Sequence, residues 1–161
     1  MTPVVAGFSM AQADISVVTE QQLPMIVELY NQVFRPQETD EYFRRRFQGR
    51  YNVLVMLASL DNRPVGFTIG FELKPFVFYN WLTGVHGDFR RKGIGRQLLE
   101  SQAEWGKTHG YEYLRLEALN RHAPMLHLAI VTGFDVVGTR WDSMRSDLLI
   151  QFEKALVDDL S

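Results

Sequence analysis

The spacing of apolar positions changes several times along the chain, and each change predicts a new secondary-structure element. A short β-like run at 14–18 comes first. A helix is then predicted after a cap at Thr19, because apolar side chains recur at helical spacing over 23–33. A second amphipathic helix opens at Thr39 and ends near Gly49. The beginning of the chain is therefore predicted to be one strand followed by two helices.

The apolar pattern then takes on the period of β-strands. Residues 52–60, 65–73 and 76–85 are largely apolar runs separated by short turns that contain proline. Runs of this length joined by short turns are typical of antiparallel hairpins. The middle of the chain is therefore predicted to be a three-stranded meander.

Helical and β periods alternate through the rest of the chain. The strand predicted after the next helix should lie parallel to 76–85, because a helix connects the two strands. The complete order, β-α-α-β-β-β-α-β-α-β-β, predicts an α/β fold built on a mixed sheet. The elements predicted in this part are helices at 93–108 and 123–132 and strands at 111–119, 135–144 and 147–154.

Length and composition predict a single domain. The chain has 161 residues, of which 46% are hydrophobic and 22% are charged, which is enough for one sizeable core. We expect a flexible N-terminal arm at 1–13 and one domain at 14–161. The arm lacks the features of a secretory signal, and no apolar run approaches the roughly 18 residues of a membrane span. A cytoplasmic protein without a membrane partner is therefore expected.

Charge and residue counts exclude several classes of function. The formal net charge is -2 and the isoelectric point is about 6.1, so no nucleic-acid partner is expected. The chain has no cysteine, which excludes disulfides, thiolate nucleophiles and cysteine-based zinc sites. Its four histidines are scattered, and no metal site is expected.

The strongest chemical signal is a basic turn with two glycines, placed between the 76–85 strand and the 93–108 helix. Gly93 and Gly95 let a ligand approach the backbone where the first turn of a helix points its unpaired N–H groups. A pyrophosphate is therefore the expected ligand, although such a turn taken alone could also be a solvated loop. The basic side chains around the turn are Arg90, Arg91, Lys92 and Arg96.

Two common phosphate-binding motifs do not fit this turn. A Walker loop requires lysine and then serine or threonine after its last glycine, but Arg96 follows Gly95. A dinucleotide fingerprint requires a third glycine, but that position is Leu98. The remaining pattern, Arg90-x-x-Gly93-x-Gly95, resembles the acyl-CoA-binding motif of the GNAT N-acetyltransferase superfamily.

The resemblance extends over nearly the whole chain from about residue 14. It includes the order of elements, the Gly133-Phe134 pair after the last helix and the closing strand at 147–154. It implies an acetyl-CoA-dependent N-acetyltransferase that transfers an acetyl group to a primary amine of a small molecule or protein by direct attack. It also implies a mixed, mostly antiparallel central sheet with a splayed parallel strand pair and helices on both faces. The implied partners are acetyl-CoA as the cofactor and an amine acceptor.

The resemblance also implies where the cofactor binds. In the family, the pantetheine arm lies between the splayed strands and the pyrophosphate lies on the basic turn. Gly84 fits a close approach of the ligand, with a simple bulge as the alternative. Asn120 has the residue type of an asparagine that often lines the pantetheine, whereas His122 has its spacing. The implied cofactor-binding residues are Thr83, Gly84, Val85, Arg90, Arg91, Lys92, Gly93, Ile94, Gly95, Arg96 and Asn120.

The groups that transfer protons are less well defined. Glu72, near the end of the 65–73 strand, and His122 are the candidate catalytic residues. Their alternatives are an edge-strand charge and a solvated loop histidine. The family often has a tyrosine four residues before the Gly-Phe pair that protonates the departing thiolate, but here that position is Ala129. His127 lies on a different helical face and is not expected to replace it.

Acceptor specificity is expected to lie on the first two helices and the late strands, where loops line the other side of the cleft. Core burial is the alternative for the aromatic candidates, and simple solvation is the alternative for the arginine. The exposed edge expected for the last strands would allow a homodimer. The candidate substrate-binding residues are Tyr30, Phe34, Arg44, Trp81 and Trp141.

Two other functions stay open at this point. A non-catalytic acyl-CoA-binding or sensing module would keep the phosphate turn and lose the chemistry, which is consistent with Ala129. An unrelated anion-binding domain would need only the turn.

Overall fold

Seven strands and four helices occur in residues 12–158, the part of the chain that the computed structural model describes. The strands are β1 Asp14–Val17, β2 Leu54–Leu60, β3 Arg63–Lys74, β4 Val77–Val85, β5 Tyr113–Leu119, β6 Asp135–Asp142 and β7 Asp147–Ala155. The helices are α1 Leu23–Val33, α2 Asp40–Phe47, α3 Ile94–Thr108 and α4 Ala123–Val131. The order of strands and helices predicted from the sequence is confirmed.

The strands form one sheet in the order β1-β2-β3-β4-β5-β7-β6. Strands β4 and β5 are parallel, and the other neighbouring pairs are antiparallel. The parallel pair follows from the connection through α3, because a helical crossover returns the chain in the same direction. The predicted mixed and mostly antiparallel sheet is confirmed.

Helices cover both faces of the sheet. Met56 of β2 packs in one core cluster with Leu98 of α3, whereas its neighbour Leu57 packs in a second cluster with Ile26 of α1. Successive side chains of a strand point to opposite faces. Helices α1 and α2 therefore cover one face, the α1/α2 face, while α3 and α4 cover the other, the α3/α4 face.

Strands β4 and β5 separate along part of their length. Their parallel pairing runs from Val77↔Tyr113 to Asn80↔Leu116 and does not continue to the ends of the strands. Opposite β3, the register of β4 skips Trp81, which is the extra residue of a β-bulge. A bulge bends its strand and increases the local twist. Residues 81–85 of β4 and 117–119 of β5 therefore diverge, and we call the space between them the split.

Helix α2 has local signals that agree with one another. The side chain of Thr39 accepts a hydrogen bond from the backbone N–H of Tyr42 at 3.2 Å, which caps the helix. Acidic residues occupy its first turn and arginines its last turn, an arrangement that complements the helix dipole. The sequence therefore places three consecutive arginines at the end of α2, and one of them, Arg46, lies over the ring of Trp81 in β4.

The N-terminal boundaries differ from the prediction in two details. Ala13 is buried, and its N–H donates to Oε1 of Gln97 at 2.9 Å, so the packed part of the chain includes Ala13. The rest of the predicted arm, 1–11, lies outside the described residues. A short 3-10 turn after Thr19 precedes α1, because Thr19 and Gln22 hydrogen-bond to each other through backbone and side-chain groups.

The other end of the sheet is the exposed strand β6. Val136 and Val137 are 59% and 50% exposed, and β6 pairs only with β7 within the described residues. An exposed edge strand has backbone groups available for pairing. The homodimer expected from the sequence stays a prediction.

Candidate functional site

The basic turn lies directly before α3 and faces the end of β4. Gly93 caps the helix with a φ of +78°, a left-handed conformation that glycine adopts without a steric penalty. The first backbone bond into the helix runs from Gln97 N–H to Gly93 C=O at 3.0 Å. Within residues 12–158, the N–H groups of Ile94, Gly95 and Arg96 have no hydrogen-bond acceptor. These three N–H groups form what we call the cradle, which suits an anion.

The second glycine of the turn has a packing role. A β-carbon added at Gly95 would lie 3.2 Å from Cδ2 of Leu128 on α4. This distance is tighter than most real contacts of a β-carbon, so Gly95 allows α3 and α4 to approach each other closely.

Basic side chains around the cradle are mostly exposed. Arg90 donates from Nε to the carbonyl of Val85 at 3.3 Å, which holds it at the end of β4. Arg96 pairs with Glu100 at 2.8 Å, and Lys92 lies over the ring of Phe89 at 5.5 Å from its centroid. Positive charge therefore surrounds the helix N-terminus, as the sequence predicts.

The three strand residues predicted beside the pantetheine lie along the split. Thr83, Gly84 and Val85 pair with β3 on one side, and their other edge faces the split. No bulge occurs at Gly84. A β-carbon there would lie 2.8 Å from a ring carbon of Phe34, so the glycine makes room for an aromatic ring on the α1/α2 face. A ligand in the split could therefore contact the backbone edge of β4 at these residues.

A polar cluster lies inside the protein at the point where β4 and β5 separate. The side-chain amide of Asn80 donates to Oγ1 of Thr68 at 2.7 Å, to Oγ1 of Thr83 at 3.0 Å and to Oε1 of Gln102 at 2.7 Å. Thr68, Asn80 and Gln102 are almost completely buried. Buried polar groups that hydrogen-bond to one another fix a local conformation, although Nε2 of Gln102 has no hydrogen-bond partner within residues 12–158. This cluster therefore holds the bulge of β4 in place.

Asn120 and His122 follow β5 and lead into α4. The backbone N–H of Asn120 donates to the carbonyl of Leu148 at 2.8 Å, and the residue is exposed. Desolvation, together with the positive charge of Arg90, lowers the pKa of His122 below its ordinary value. His122 is therefore close enough to Arg90 for the positive charge of Arg90 to disfavour protonation of the imidazole.

A carboxylate that the sequence interpretation missed lies at the split on the α1/α2 face. Glu117 is the first residue of β5 beyond its pairing with β4, and its neighbours Leu116 and Ala118 point into the α3/α4 core. Arg140 of β6 donates to both oxygens of Glu117, at 2.6 Å and 3.2 Å. The hydroxyl of Tyr79 lies 3.3 Å from Oε1 of Glu117. Three strands therefore bring these side chains together.

A signal for Glu117 exists in the sequence. Leu114, Leu116 and Ala118 alternate with polar residues, which predicts that Glu117 faces away from the α3/α4 core. In sheets with parallel strands, ligands bind outside the carboxyl ends of those strands. A charged residue near the end of the strand parallel to β4 could therefore have been chosen as a candidate, but it was not.

Tyr79 keeps its proton over the ordinary pH range. Burial, followed by the nearby charge of Glu117, raises the pKa of Tyr79 to about 12. Arg140 and Arg46 act in the opposite direction. Tyr79 is therefore a neutral hydroxyl that donates to Glu117.

A cavity of about 240 Å³ adjoins Glu117 on the α1/α2 face. It extends from the end of α2 and β3 to the position where β4 and β5 separate. Glu117 is the only acidic side chain among its lining residues. The lining residues are Arg46, Arg50, Phe71, Leu73, Tyr79, Arg115, Leu116, Glu117 and Gln151.

Glu72 lies away from the split. It stands opposite Phe78, before the bulge of β4, and its carboxylate accepts a hydrogen bond from the hydroxyl of Tyr111 at 3.1 Å. Tyr111 belongs to the core of the α3/α4 face. The structure therefore does not bring Glu72 together with Glu117 or with the cradle.

Three of the predicted acceptor residues form one aromatic cluster on the α1/α2 face. Tyr30 stacks near Phe34 at 5.0 Å between ring centroids, and burial is the main cause that raises its pKa. Phe34 also packs against Phe67. Trp81 lies half-buried at the bulge, 5.8 Å from the ring of Phe43. Much of this aromatic surface is core, and Trp81 is the member nearest the cavity.

Arg44 and Trp141 lie elsewhere. Arg44 lines a different groove, between α2 and β2. Trp141 is 60% exposed and stands next to Arg140 in β6, so its side chain points to the opposite face from Glu117. The structure does not bring these two residues into the cavity.

Position 129 offers no proton donor. Ala129 is completely buried in the core of the α3/α4 face, and His127 is exposed two residues earlier. Where the family often has a tyrosine hydroxyl, this chain therefore has a methyl group that packs in the core.

The split and the cradle together fit acetyl-CoA. Three unpaired N–H groups at a helix N-terminus suit a diphosphate, and basic side chains surround them. The facing backbone edges of β4 and β5 suit an extended arm that carries amide groups. This arrangement lies within the region that matches a protein-family model.

Residues 23–134 match the model of the acetyltransferase (GNAT) family. This chain belongs to that family. Acetyl-CoA is the acetyl donor of GNAT enzymes, as the sequence resemblance implied. A comparison with functionally curated proteins finds no significant match.

Several solved GNAT structures share the fold. The chain is similar to the ribosomal-protein-S18-alanine N-acetyltransferase of Escherichia coli, with 18% identity, a TM-score of 0.78, and coverage of 92% of this chain and 96% of that one. It is also similar to Ard1 of Thermoplasma volcanium, with 15% identity, a TM-score of 0.79, and coverage of 92% and 100%. A third is yncA of Salmonella typhimurium, whose structure contains its cofactor acetyl-CoA; identity is 16%, the TM-score 0.73, and coverage 94% and 98%.

No helix within residues 12–158 is long and apolar enough to cross a membrane. No group of three or more side chains of the types that bind metals is placed to hold an ion there.

Proposed function

We propose that this protein is an acetyl-CoA-dependent N-acetyltransferase that acts on a primary amine of a small molecule or protein. The observation that carries the proposal is the split between β4 and β5, which opens at the bulge of Trp81 and leads to the cradle. A cofactor with a diphosphate at one end and a thioester at the other would reach from the cradle to Glu117.

The residues that would hold acetyl-CoA lie on one turn and one strand edge. The N–H groups of Ile94, Gly95 and Arg96 would bind the diphosphate, with Arg90, Arg91 and Lys92 supplying charge. The backbone of Thr83, Gly84 and Val85 would hydrogen-bond to the pantetheine arm, and Asn120 stands at the other side of the split.

Bound acetyl-CoA supplies a thioester carbonyl carbon that an amine can attack. The amine must lose a proton before it attacks, so a proton acceptor near the split is required. The neutral nitrogen then forms an amide bond to that carbon as the carbon–sulfur bond breaks; the nitrogen gives up a second proton to solvent, and the sulfur gains one. Glu117 is the carboxylate near the split, and it replaces Glu72 in our assignment of the proton acceptor.

Arg140 and Tyr79 act on Glu117 and not on the substrate. Their hydrogen bonds hold both oxygens of the carboxylate in a fixed orientation toward the cavity. Fixed polar groups at a reaction centre need no reorganisation during the reaction. Since Ala129 is buried in the core, solvent in the split supplies the proton that the departing sulfur takes up.

The buried methyl group of Ala129 also favours a second candidate function. A protein that binds acyl-CoA without catalysis, as a binding or sensing module, would need the cradle and no proton donor at this position. Glu117 argues for the enzyme, because a binding module has no need of an oriented carboxylate beside the split.

Two measurements test the proposal. Calorimetry with acetyl-CoA and with a truncated pantetheine analogue that lacks the diphosphate should give saturable binding for the first and much weaker binding for the second. A thiol-release assay over a panel of primary amines should show turnover with at least one acceptor. Binding without any turnover would support the sensing module, and absence of binding at low salt would overturn both.

A further inference from the structure

Two arginines beside the cavity have no acidic partner within residues 12–158. The guanidinium of Arg46 lies over the ring of Trp81 at 5.1 Å, and that of Arg50 lies over the ring of Phe71 at 4.5 Å. In the described part of the chain, no carboxylate lies within ion-pair distance of either side chain. Both residues line the cavity that ends at Glu117.

The other charges of the cavity are already neutralised by ion pairs. Arg115 pairs with Glu153 at 2.6 Å, and Glu117 pairs with Arg140 at 2.6 Å. Among the described residues, the cavity charges that remain without a partner are therefore those of Arg46 and Arg50, both positive. A small cavity with uncompensated positive charge favours an anionic group in its ligand.

The aromatic rings prepare the two arginines for an anion. A guanidinium that lies on an aromatic face keeps its N–H groups at the edge of its plane, where they can bind a carboxylate with two hydrogen bonds. Trp81 is held by Phe43, Phe47 and Phe71, so Arg46 rests on a rigid surface. A group held in place before binding loses less conformational entropy when the ligand arrives.

The two ends of the cavity carry side chains of opposite charge, which suits one molecule that has an amine and an anionic group. Glu117 lies at the split, where the acetyl group would arrive, and Arg46 and Arg50 lie toward the end of α2. Arg46 is close enough to influence the pKa of Tyr79, which itself contacts Glu117. A volume of about 240 Å³ is below the roughly 300 Å³ of ordinary ligand pockets, which suits a molecule of amino-acid size.

We infer that the acceptor is a small primary amine that carries a carboxylate, an inference that rests on the proposed function. Its carboxylate binds Arg46 and Arg50, and its amine lies at Glu117. The acceptor is therefore recognised at both ends. An amine without an anionic group cannot make the interactions with Arg46 and Arg50.

The inference is tested first by binding, without turnover. Glycine, β-alanine and γ-aminobutyrate are titrated calorimetrically into the protein saturated with coenzyme A, each beside the n-alkylamine and the carboxamide of matching length. We expect at least one of the three amino acids to bind roughly tenfold or more tightly than its two neutral counterparts, because hydrogen bonds between charged groups are lost in them. Equal binding within every matched set would overturn the inference.

Variants then locate the carboxylate. Arg46→Gln and Arg50→Gln should each raise the KM of the best amino acid roughly tenfold, with kcat and the KM of the matching alkylamine nearly unchanged. The matched control is Arg45→Gln, because Arg45 is an exposed neighbour on α2 that pairs with Glu41 at 3.6 Å and does not line the cavity. An equal effect of all three variants would overturn the assignment of Arg46 and Arg50.

The same assay separates this inference from the proposed function. Acetylation of alkylamines as efficiently as amino acids, unaffected by Arg46→Gln, would refute the inference and leave the acetyltransferase intact. Acetylation confined to the N-termini of peptides would also refute it, because the acceptor would then be larger than the cavity. Failure to bind acetyl-CoA would refute the proposed function itself.

Discussion

The two sides of the split are constructed from different kinds of groups. On the α3/α4 face, the groups that we propose to bind the diphosphate are backbone N–H groups of three consecutive residues, Ile94 to Arg96. On the α1/α2 face, the polar and aromatic groups are side chains from α2, β4, β5 and β6, and several of them contact one another. The first side is a local turn, whereas the second is assembled from distant parts of the chain.

This difference suggests separate functions for the α3/α4 face and the α1/α2 face of the split. Backbone N–H groups bind a diphosphate in many sequences, because the arrangement depends on the helix and not on particular side chains. Side chains such as Glu117 and Arg46 can be exchanged while the sheet is kept, so we propose that they determine the acceptor chemistry. Substitutions on the α3/α4 face should therefore affect cofactor binding, and substitutions on the α1/α2 face should affect turnover and acceptor choice.

The largest expected effect is that of Glu117→Gln. The amide keeps the shape of the side chain but cannot take up the proton of the amine, so we expect kcat to fall roughly 10²- to 10⁴-fold. The dissociation constant of acetyl-CoA, measured by calorimetry, should stay the same, because the cradle lies on the other face.

The matched control for this variant is Glu153→Gln. Glu153 has an ion pair with Arg115 at the same 2.6 Å distance as that of Glu117 with Arg140, but it lies away from the split. Both variants should lower the midpoint of urea denaturation to a similar degree. If Glu153→Gln reduced kcat as much as Glu117→Gln, the loss would come from the ion pairs and not from a proton acceptor.

A smaller effect, on the other side of the split, is expected for Gly93→Ala. Alanine at a φ of +78° destabilises the fold by roughly 1–2 kcal/mol and places a methyl group beside the cradle. Affinity for acetyl-CoA should fall roughly tenfold as hydrogen bonds to the diphosphate weaken. Calorimetry and urea denaturation measure the two effects separately.

Gly110→Ala supplies the comparison for Gly93→Ala. Gly110 has a φ of +87° with open space around it at the other end of α3, so its substitution carries the same kind of backbone strain. Its affinity for acetyl-CoA should match that of the unaltered protein. If both variants lost the same affinity for acetyl-CoA, then strain in α3, and not contact at the cradle, would be what weakens binding.

The smallest expected effect is a change in the pKa of His122. Desolvation and the charge of Arg90 lower this pKa, so binding a diphosphate beside Arg90 should raise it. The stability that His122 contributes is present above pH 6.5, its ordinary pKa, and is lost as the pH falls through the lower folded value. NMR titration of the imidazole signals, assigned with His122→Gln, measures the shift with and without acetyl-CoA; a downward shift would contradict the placement.

The same contrast explains what could be predicted from the sequence. The strands, the helices and the basic turn were predictable, because periodicity and the Arg90-x-x-Gly93-x-Gly95 pattern are local. Glu117 was missed because its importance depends on the bulge at Trp81, which ends the pairing of β4 and β5 and exposes that position. Glu72 was chosen from its place near a strand end, but the register puts it before the bulge and beside Tyr111.

Packing also decided which aromatic residues face solvent. Tyr30 and Phe34 were candidates for the cleft, but their rings pack on Phe43 and Phe67 in the core of the α1/α2 face. Trp81 keeps one side toward Arg46, which no pattern in the sequence indicated because the contact joins α2 to β4. Long-range contacts of this kind appear only when the sheet is assembled.

The cradle is tested most directly by titrating ¹⁵N-labelled protein with acetyl-CoA at low salt and following the backbone amide signals. We expect saturable shifts at Ile94, Gly95 and Arg96 and along 81–85 of β4, with the amides of α2 little changed. If acetyl-CoA did not bind, or if it bound while the signals of Ile94, Gly95 and Arg96 stayed in place, the cradle would not be the diphosphate site.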